Sequence, residues 1–289
     1  MPPQHSLAEL LKTTADYFTR RGVETARLDA ELLLGDVLGL DRLQLYTSFD
    51  RPLSSQEVDR YRALVRRRAE REPVAYILGR KEFYSRTFEV DPRVLIPRPD
   101  TETLVDAVLA VLPEEAEGLV LDYGTGSGAI ALTLAAERLH LRVLAIDISN
   151  EALSVARANA DKLALSDRVG FIQSDGLERV PARFEGQVAA LVSNPPYIAV
   201  AERNSLAPEI RDYEPEDALF AGSDPLLHYR RIATEAPRWM TEGGLLALEV
   251  GGTQAADVTA LLRKANWQSI ELRSDLAGKE RVVLARWLS

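Results

Sequence analysis

The stretch from Leu119 to Leu139 narrows the possible folds more than any other part of this chain. An apolar run, Leu119–Asp122, leads straight into Tyr123-Gly124-Thr125-Gly126-Ser127-Gly128 and then into the helix-forming segment Ala129–Leu139. Glycines at such a turn let the backbone approach a ligand closely, and the helix that follows presents free N–H groups to an anion. Asp147 closes the next apolar run, 23 residues after Gly124, where a carboxylate can accept both ribose hydroxyls of a nucleoside cofactor. Gly124, Gly126 and Ala129 also satisfy the loose dinucleotide fingerprint, so the loop by itself leaves the cofactor class open.

Strand-like and helix-like segments alternate around this loop. Strands are expected at Leu119–Asp122, Val143–Ile148, Gly170–Gln173, Ala189–Val192 and Leu245–Val250, with helices opening at Asp100–Thr101 and over 128–138, 150–163, about 225–239 and 253–265. Apolar strands alternating with helices imply a parallel sheet covered on both faces. The alternation breaks at the end, where Ser269–Arg273 and Val282–Trp287 flank a short loop and form an antiparallel hairpin. The expected α/β fold is therefore a seven-stranded, mostly parallel, doubly wound sheet with a C-terminal antiparallel hairpin. That layout differs from a dehydrogenase sheet and matches the class I methyltransferases.

The first seventy residues read as an all-α bundle. Ser6 with Glu9, and Ser54 with Glu57, have capping-box spacing ahead of apolar positions on one helical face. Thr25–Leu38 supplies another helix, Leu43–Tyr46 an extra turn, and Pro73 ends the series. From about Ala75 to Val94 short β-like runs (AYILG, TFEV) suggest a hairpin linker. The expected organisation is a helical substrate-docking domain over 1–72, a linker over 73–98 and a catalytic domain over 99–289.

Composition removes several chemistries. There are no cysteines, and the three histidines, His5, His140 and His228, lack metal-ligand spacing, so thiolate catalysis, a zinc site or a His-centred triad is not expected. No apolar run approaches the ~18 residues a membrane span requires, and the N-terminus lacks signal-peptide character, so a cytoplasmic protein is expected. Residues 1–90 carry 15 basic and 14 acidic side chains, leaving 20 and 30 for the rest. An acidic catalytic domain would repel a nucleic-acid backbone, so no stable nucleic-acid binding is expected. Arg66, Arg67 and Arg68, with Arg60, Arg62 and Arg71, form the one basic cluster, either a solvated helix face or a docking patch.

Two further segments concern the site. Asp175-Gly176 ends the third strand, placing a carboxylate where an adenine would lie, although Asp-Gly is equally a turn signal. The fourth strand runs into Asn194-Pro195-Pro196-Tyr197. Each proline forces the residue before it into extended geometry and contributes no N–H. The result is a rigid pair of acceptors, the Asn194 side-chain oxygen and the Pro195 carbonyl, at the carboxyl end of the sheet where ligands bind. A planar NH₂ group can donate to both, with Tyr197 as an aromatic wall. Arg98, Asp100 and Glu102 either line the pocket or cap the helix that follows them.

With these residues in view, the chain resembles the HemK/PrmC family, the protein-(glutamine-N5) methyltransferases of peptide chain release factors. The resemblance is carried by Asn194–Tyr197, by Pro73–Asp106, by Glu249-Val250-Gly251-Gly252-Thr253-Gln254 and by Asp275–Arg281, and it spans nearly the whole chain. It implies that Gly124–Gly128 and Asp147 bind S-adenosyl-L-methionine, with S-adenosyl-L-homocysteine as product. It also implies that Asn194–Tyr197 hold the glutamine of a Gly-Gly-Gln motif in class 1 peptide chain release factors. Many members carry an aromatic residue at the Gly176 position, so here an adenine wall must come from elsewhere.

An amide nitrogen is a poor nucleophile, because the delocalisation measured by the ~18–20 kcal/mol rotation barrier of such a bond occupies its lone pair. Binding the NH₂ by its hydrogens, so that positive charge developing on nitrogen meets two fixed oxygens, could contribute roughly 3–6 kcal/mol. No metal or general base is needed, and a monomer is expected. Rival readings are a glutamine methyltransferase of a ribosomal protein, a nucleic-acid adenine N6-methyltransferase, and a non-enzymatic cofactor-binding module. The docking-type N-terminal segment, the acidic catalytic domain and the intact acceptor turn weigh against them in that order.

Overall fold

The computed structural model describes residues 6–288, and His5 lies outside them. In chain order the elements are helices α1 (Leu7–Arg20), α2 (Ala26–Leu38), α3 (Arg42–Thr47), α4 (Ser55–Ala69) and α5 (Val74–Leu78), and strands β1 (Arg80–Phe83) and β2 (Arg86–Glu89). They continue with α6 (Pro99–Val111), β3 (Gly118–Tyr123), α7 (Ala129–Glu137), β4 (Leu141–Asp147), α8 (Asn150–Lys162), β5 (Val169–Gln173) and β6 (Val188–Ser193). The remainder is α9 (Pro208–Tyr213), α10 (Glu216–Leu219), α11 (Leu227–Glu235), β7 (Met240–Glu249), α12 (Ala255–Lys264), β8 (Gln268–Ser274) and β9 (Glu280–Arg286). Among the described residues no helix is long and apolar enough to cross a membrane.

The chain divides into two compact units, residues 1–80 with 207–213, and residues 81–206 with 214–289. In the first, both expected capping boxes form: Ser6 with Glu9 opens α1, and Ser54 with Glu57 opens α4. A third, Asp41 with Gln44, opens α3. Leu11, Phe18, Leu33, Leu34 and Tyr61 are fully enclosed between these helices, which is what holds helices this short together. The arginine cluster divides between a structural part and an exposed part. Arg68 is 4% exposed and bridges Asp29 at 2.7 Å and Glu209 at 2.8 Å. Arg71 closes on the same Glu209, and Arg67 pairs with Glu72. Arg68 and Arg71 are thus drawn into ion pairs completed by a glutamate 141 positions downstream of Arg68, whereas Arg60, Arg62, Arg66 and Arg67 are exposed.

The run Ala75–Gly79, expected as β-like, is instead helix α5. Pro73 supplies its N-cap position and Gly79, in the left-handed region, ends it. Short apolar runs do not distinguish strand from helix by periodicity, and the proline and glycine at its ends settle the matter here. The hairpin proper is β1–β2, turned by Tyr84 and Ser85, both at positive φ.

The second unit is the sheet. Its strand order is β5-β4-β3-β6-β7-β9-β8, with β9 antiparallel to both β7 and β8 and all other pairings parallel. This is the expected seven-stranded mixed sheet. β3 and β6 are buried along almost their whole length, as strands covered on both faces must be. One core layer packs α6 and α7 on the sheet, and the other packs α11 and α12 on its opposite face around Trp239, Met240 and Trp267. The chain leaves β3 to one side for β4 and returns to its other side for β6. The crevice at the carboxyl ends of these strands is therefore where a doubly wound sheet binds ligands.

Candidate active site

A cavity of about 520 Å³ opens at that crevice. Gly124 and Gly126 from the turn after β3, Asp147 at the end of β4, Asp175 and Gly176 after β5, and Asn194 and Pro196 after β6 all line it. Four loops widely separated in sequence thus converge on one space.

Within the glycine loop the residues divide by role. Asp122, fully buried at the end of β3, accepts the Thr125 hydroxyl at 2.7 Å and the Ala131 N–H at 3.1 Å. Burial without a cation pushes its carboxyl up to about 7. Thr125 is thereby turned inward, and Ser127 is buried with its carbonyl accepting from Asn159 Nδ2 at 2.9 Å. Gly128 has φ +82, and a Cβ there would lie 3.0 Å from a Leu132 methyl and 3.2 Å from that of Ala156. Thr125, Ser127 and Gly128 therefore build the loop from behind, while Gly124 and Gly126 face the cavity.

Asp147 Oδ2 accepts the Gly126 N–H at 2.8 Å, and Oδ1 accepts that of Ser149 at 2.9 Å. Burial raises its pKa, partly offset by these backbone donors. Each oxygen keeps a lone pair for a further donor. Asp175 sits at the rim with its carboxylate engaged by Arg231, which also pairs with Glu235 at 2.8 Å and Glu178 at 3.2 Å. Gly176, at φ +63, offers the cavity only backbone. Arg231 of α11 lies against it, and His228 of the same helix also lines the cavity, its Nδ1 buried and without a hydrogen-bond partner. Burial lowers its pKa, with the Arg231 charge acting the same way. Nothing local marks this histidine: it lies on a helix remote in sequence from the cavity loops, and only folding α11 against the sheet brings it to the cavity.

The Asn194–Tyr197 turn is braced from several sides. The Ser193 hydroxyl donates to the Tyr123 carbonyl at 2.7 Å, locking β6 to β3 just before the turn. Asn194 Nδ2 donates to Thr101 Oγ1 at 3.2 Å. Gln254 Nε2 donates to the Tyr197 carbonyl at 3.0 Å, and its Oε1 accepts the Gly251 N–H at 3.2 Å. Gly251 is required by close approach, since a Cβ there would lie 3.1 Å from Tyr197 Cδ2. The segment from Glu249 to Gln254 is thus the back wall of this turn. Asn194 and Pro196 reach the cavity surface, whereas Pro195 is buried and Tyr197, largely buried and raised in pKa by that burial, packs behind.

Arg98, Asp100 and Glu102 are not among the cavity-lining residues; Arg98 is the N-cap residue of α6, through its backbone and without a side-chain cap hydrogen bond, and Asp100 and Glu102 stand in the first turn. Arg98 pairs with Glu214 at 2.5 Å, Asp100 with Arg281 at 2.8 Å, and Glu102 accepts the Tyr84 N–H at 2.7 Å. Arg281 in turn holds Asp275 at 3.0 Å. The segment Asp275–Arg281 therefore anchors the start of α6 through Arg281.

A doubly wound sheet with β9 inserted antiparallel next to β7, a glycine loop with a following acid, and a rigid acceptor turn at one cavity define a class I methyltransferase. The same fold, at 15% identity and a TM-score of 0.51, occurs in a methyltransferase from Pyrococcus furiosus, over 72% of this chain and 92% of that one. Residues 9–79 match the PrmC N-terminal domain and residues 100–210 the methyltransferase small domain. The chain is 46% identical to the release factor glutamine methyltransferase of Chlorobaculum tepidum, over 89% of each chain. It is 41% identical to that of Geobacter sulfurreducens, over 99% of this chain and 98% of the other. The chain belongs to the family of release factor glutamine methyltransferases.

Proposed function

We propose that this chain methylates the side-chain amide nitrogen of the glutamine in the Gly-Gly-Gln motif of class 1 release factors, with S-adenosyl-L-methionine as methyl donor. The observation that carries the reading is that the glycine loop, Asp147 and Asn194 line one cavity, so a nucleoside cofactor and a planar amide would meet there.

The residues fit that cofactor. Asp147 retains acceptor capacity for two ribose hydroxyls, Gly124 and Gly126 present close backbone, and His228 lines the same cavity. A volume of about 520 Å³ lies within the roughly 300–1,000 Å³ of ordinary ligand sites. When bound, the cofactor supplies an electrophilic methyl group on a positively charged sulfur. Asn194 Oδ1, on a residue that lines the cavity, is the first acceptor for the N–H groups of the target amide, and the backbone carbonyl of Pro195, a residue enclosed between the lining residues Asn194 and Pro196, is proposed as the second. The two oxygens hold the amide nitrogen in line and stabilise the positive charge that develops there. As the C–N bond forms the C–S bond breaks and the sulfur leaves as a neutral thioether; the N-protonated amide that results is a very strong acid and gives its extra proton to water, so no side-chain base is required. The helical unit is proposed as the release-factor docking part, supplying contacts remote from the reacting nitrogen that offset ordering of a glycine-rich loop.

Incubation of the full chain with labelled S-adenosylmethionine and an intact class 1 release factor, followed by mass spectrometry, tests this reading. One methyl group on the Gly-Gly-Gln glutamine supports it. Label on a ribosomal protein or a nucleic acid, with none on the release factor, overturns it.

A further inference from the structure

Asn194 is useful as an acceptor only if its amide is turned the right way. An amide has an acceptor end and a donor end of nearly the same shape, and presenting Nδ2 to a substrate NH₂ would set donor against donor. What holds the orientation is a neighbouring group able to accept from Nδ2 and unable to donate to Oδ1.

The neighbour is Thr101, in the first turn of α6 and 5% exposed. Its hydroxyl accepts from Asn194 Nδ2 at 3.2 Å, and the same hydroxyl favours the charged form of the neighbouring Glu249 carboxyl. Glu249 ends β7 and is 3% exposed. Ser193 pairs with Leu248 in the sheet, so Asn194 and Glu249 are the next positions on adjacent strands. One oxygen of Glu249, Oε2, is buried with no hydrogen-bond partner. The nearby cations are engaged elsewhere, Arg98 by Glu214, and Arg281 by Asp100 and Asp275. Tyr229 donates to the Glu249 backbone carbonyl rather than to its carboxylate.

We propose that Thr101 and Glu249 are positioning residues that fix the amide of Asn194 with its oxygen towards the substrate. A hydroxyl has one proton. With Glu249 ionised, Thr101 donates that proton to the carboxylate and can only accept from Asn194, which leaves Oδ1 for the incoming amide. With Glu249 protonated, the carboxyl can donate to Thr101, Thr101 to Asn194 Oδ1, and the chain of hydrogen bonds reverses. The groups facing Glu249 are Thr101, Asp100 and Arg98 from α6 and the segment before it, Arg281 from β9, Tyr197 from the turn and Tyr229 from α11. Burial outweighs the two arginines and raises the carboxyl to about 7, so the reversal falls near neutrality.

The inference rests on the proposed reaction, and the test separates the two. Wild type is assayed first with S-adenosylmethionine and an intact class 1 release factor; failure to methylate overturns the reaction and with it this role. Given an active wild type, Thr101→Val removes the hydroxyl at nearly constant shape. At least a tenfold loss in kcat is expected, with cofactor affinity by calorimetry unchanged. Thr101→Ser should regain most of the loss. Wild-type kcat should fall on the acid side of about pH 7, and Thr101→Val should lack that limb. A kcat within twofold of wild type in Thr101→Val, an equal loss of cofactor affinity, or no rescue by serine overturns the proposal. Should Thr101→Val fail to fold, Thr101→Ser and wild type still decide, because a pH profile for both without an acid limb overturns it as well.

Discussion

Gly126 donates its backbone N–H to Asp147 Oδ2 at 2.8 Å, joining the turn after β3 to the acid after β4 before any ligand is present. The carboxylate is therefore a fixed acceptor, held also by Ser149, and not a mobile side chain that must be ordered on binding. Preorganisation of this kind lowers the entropic cost of capturing two hydroxyls.

Asp147→Ala should weaken S-adenosylmethionine binding by about 10- to 100-fold, the range for losing hydrogen bonds to a charged acceptor. Because burial raises the Asp147 pKa, wild-type affinity should fall on acidification somewhat above the ordinary carboxylate range. Calorimetry across pH checks both, and unchanged affinity in the variant would end the ribose assignment.

Asn194→Ala should do the converse, keeping cofactor affinity while lowering kcat by about 10²-fold or more, as when an electrostatic partner of the transition state is removed. Parallel cofactor calorimetry and single-turnover methylation measure the split. Equal loss in both would place Asn194 on the cofactor rather than on the amide.

Asp122 gives a pH dependence of stability. Its carboxyl is raised from 3.8 to about 7 by burial, so between those values the folded state binds more protons than the unfolded one and stability falls as pH rises. Asp122→Asn removes that titration. The Tm of the variant relative to wild type should therefore climb as pH goes from about 4 to about 7 and level off above, by several degrees in all. A pH-independent difference would show that Asp122 is not the titrating group.

Arg66 and Arg68 should behave in opposite ways despite standing two residues apart. Arg68→Ala leaves Asp29 and Glu209 without their shared cation and should cost about 3–5 kcal/mol in urea unfolding. Arg66 is exposed and makes no ion pair among the described residues, so Arg66→Glu should change stability by less than ~0.5 kcal/mol. If the helical unit docks the release factor, Arg66→Glu should lower kcat/KM for the intact factor more than for a short Gly-Gly-Gln peptide. Equal effects on both substrates would remove this arginine from docking.

Some of this molecule is decided by sequence alone because the cause is local. Two capping boxes, the proline-stiffened turn at Asn194–Tyr197 and the strand-glycine-helix unit around Gly124 each depend on residues a few positions apart, whose backbone geometry is set by sterics and by side-chain to backbone hydrogen bonds. Helix α5 departs from the sequence expectation for the complementary reason: a five-residue apolar run carries no period, and its end residues, Pro73 and Gly79, outweigh its composition. Other features were illegible because their partners are remote. That Arg68 is interior follows from Glu209, that Gly176 lies against Arg231 follows from where α11 packs, and that Thr125 builds the loop rather than lining the cavity follows from the burial of Asp122. The link from Asn194 through Thr101 to Glu249 draws on three elements that no spacing rule connects. Sequence determines which backbone shapes are available, whereas burial and the pairing of buried polar groups are properties of the assembled core, and only the tertiary structure decides them.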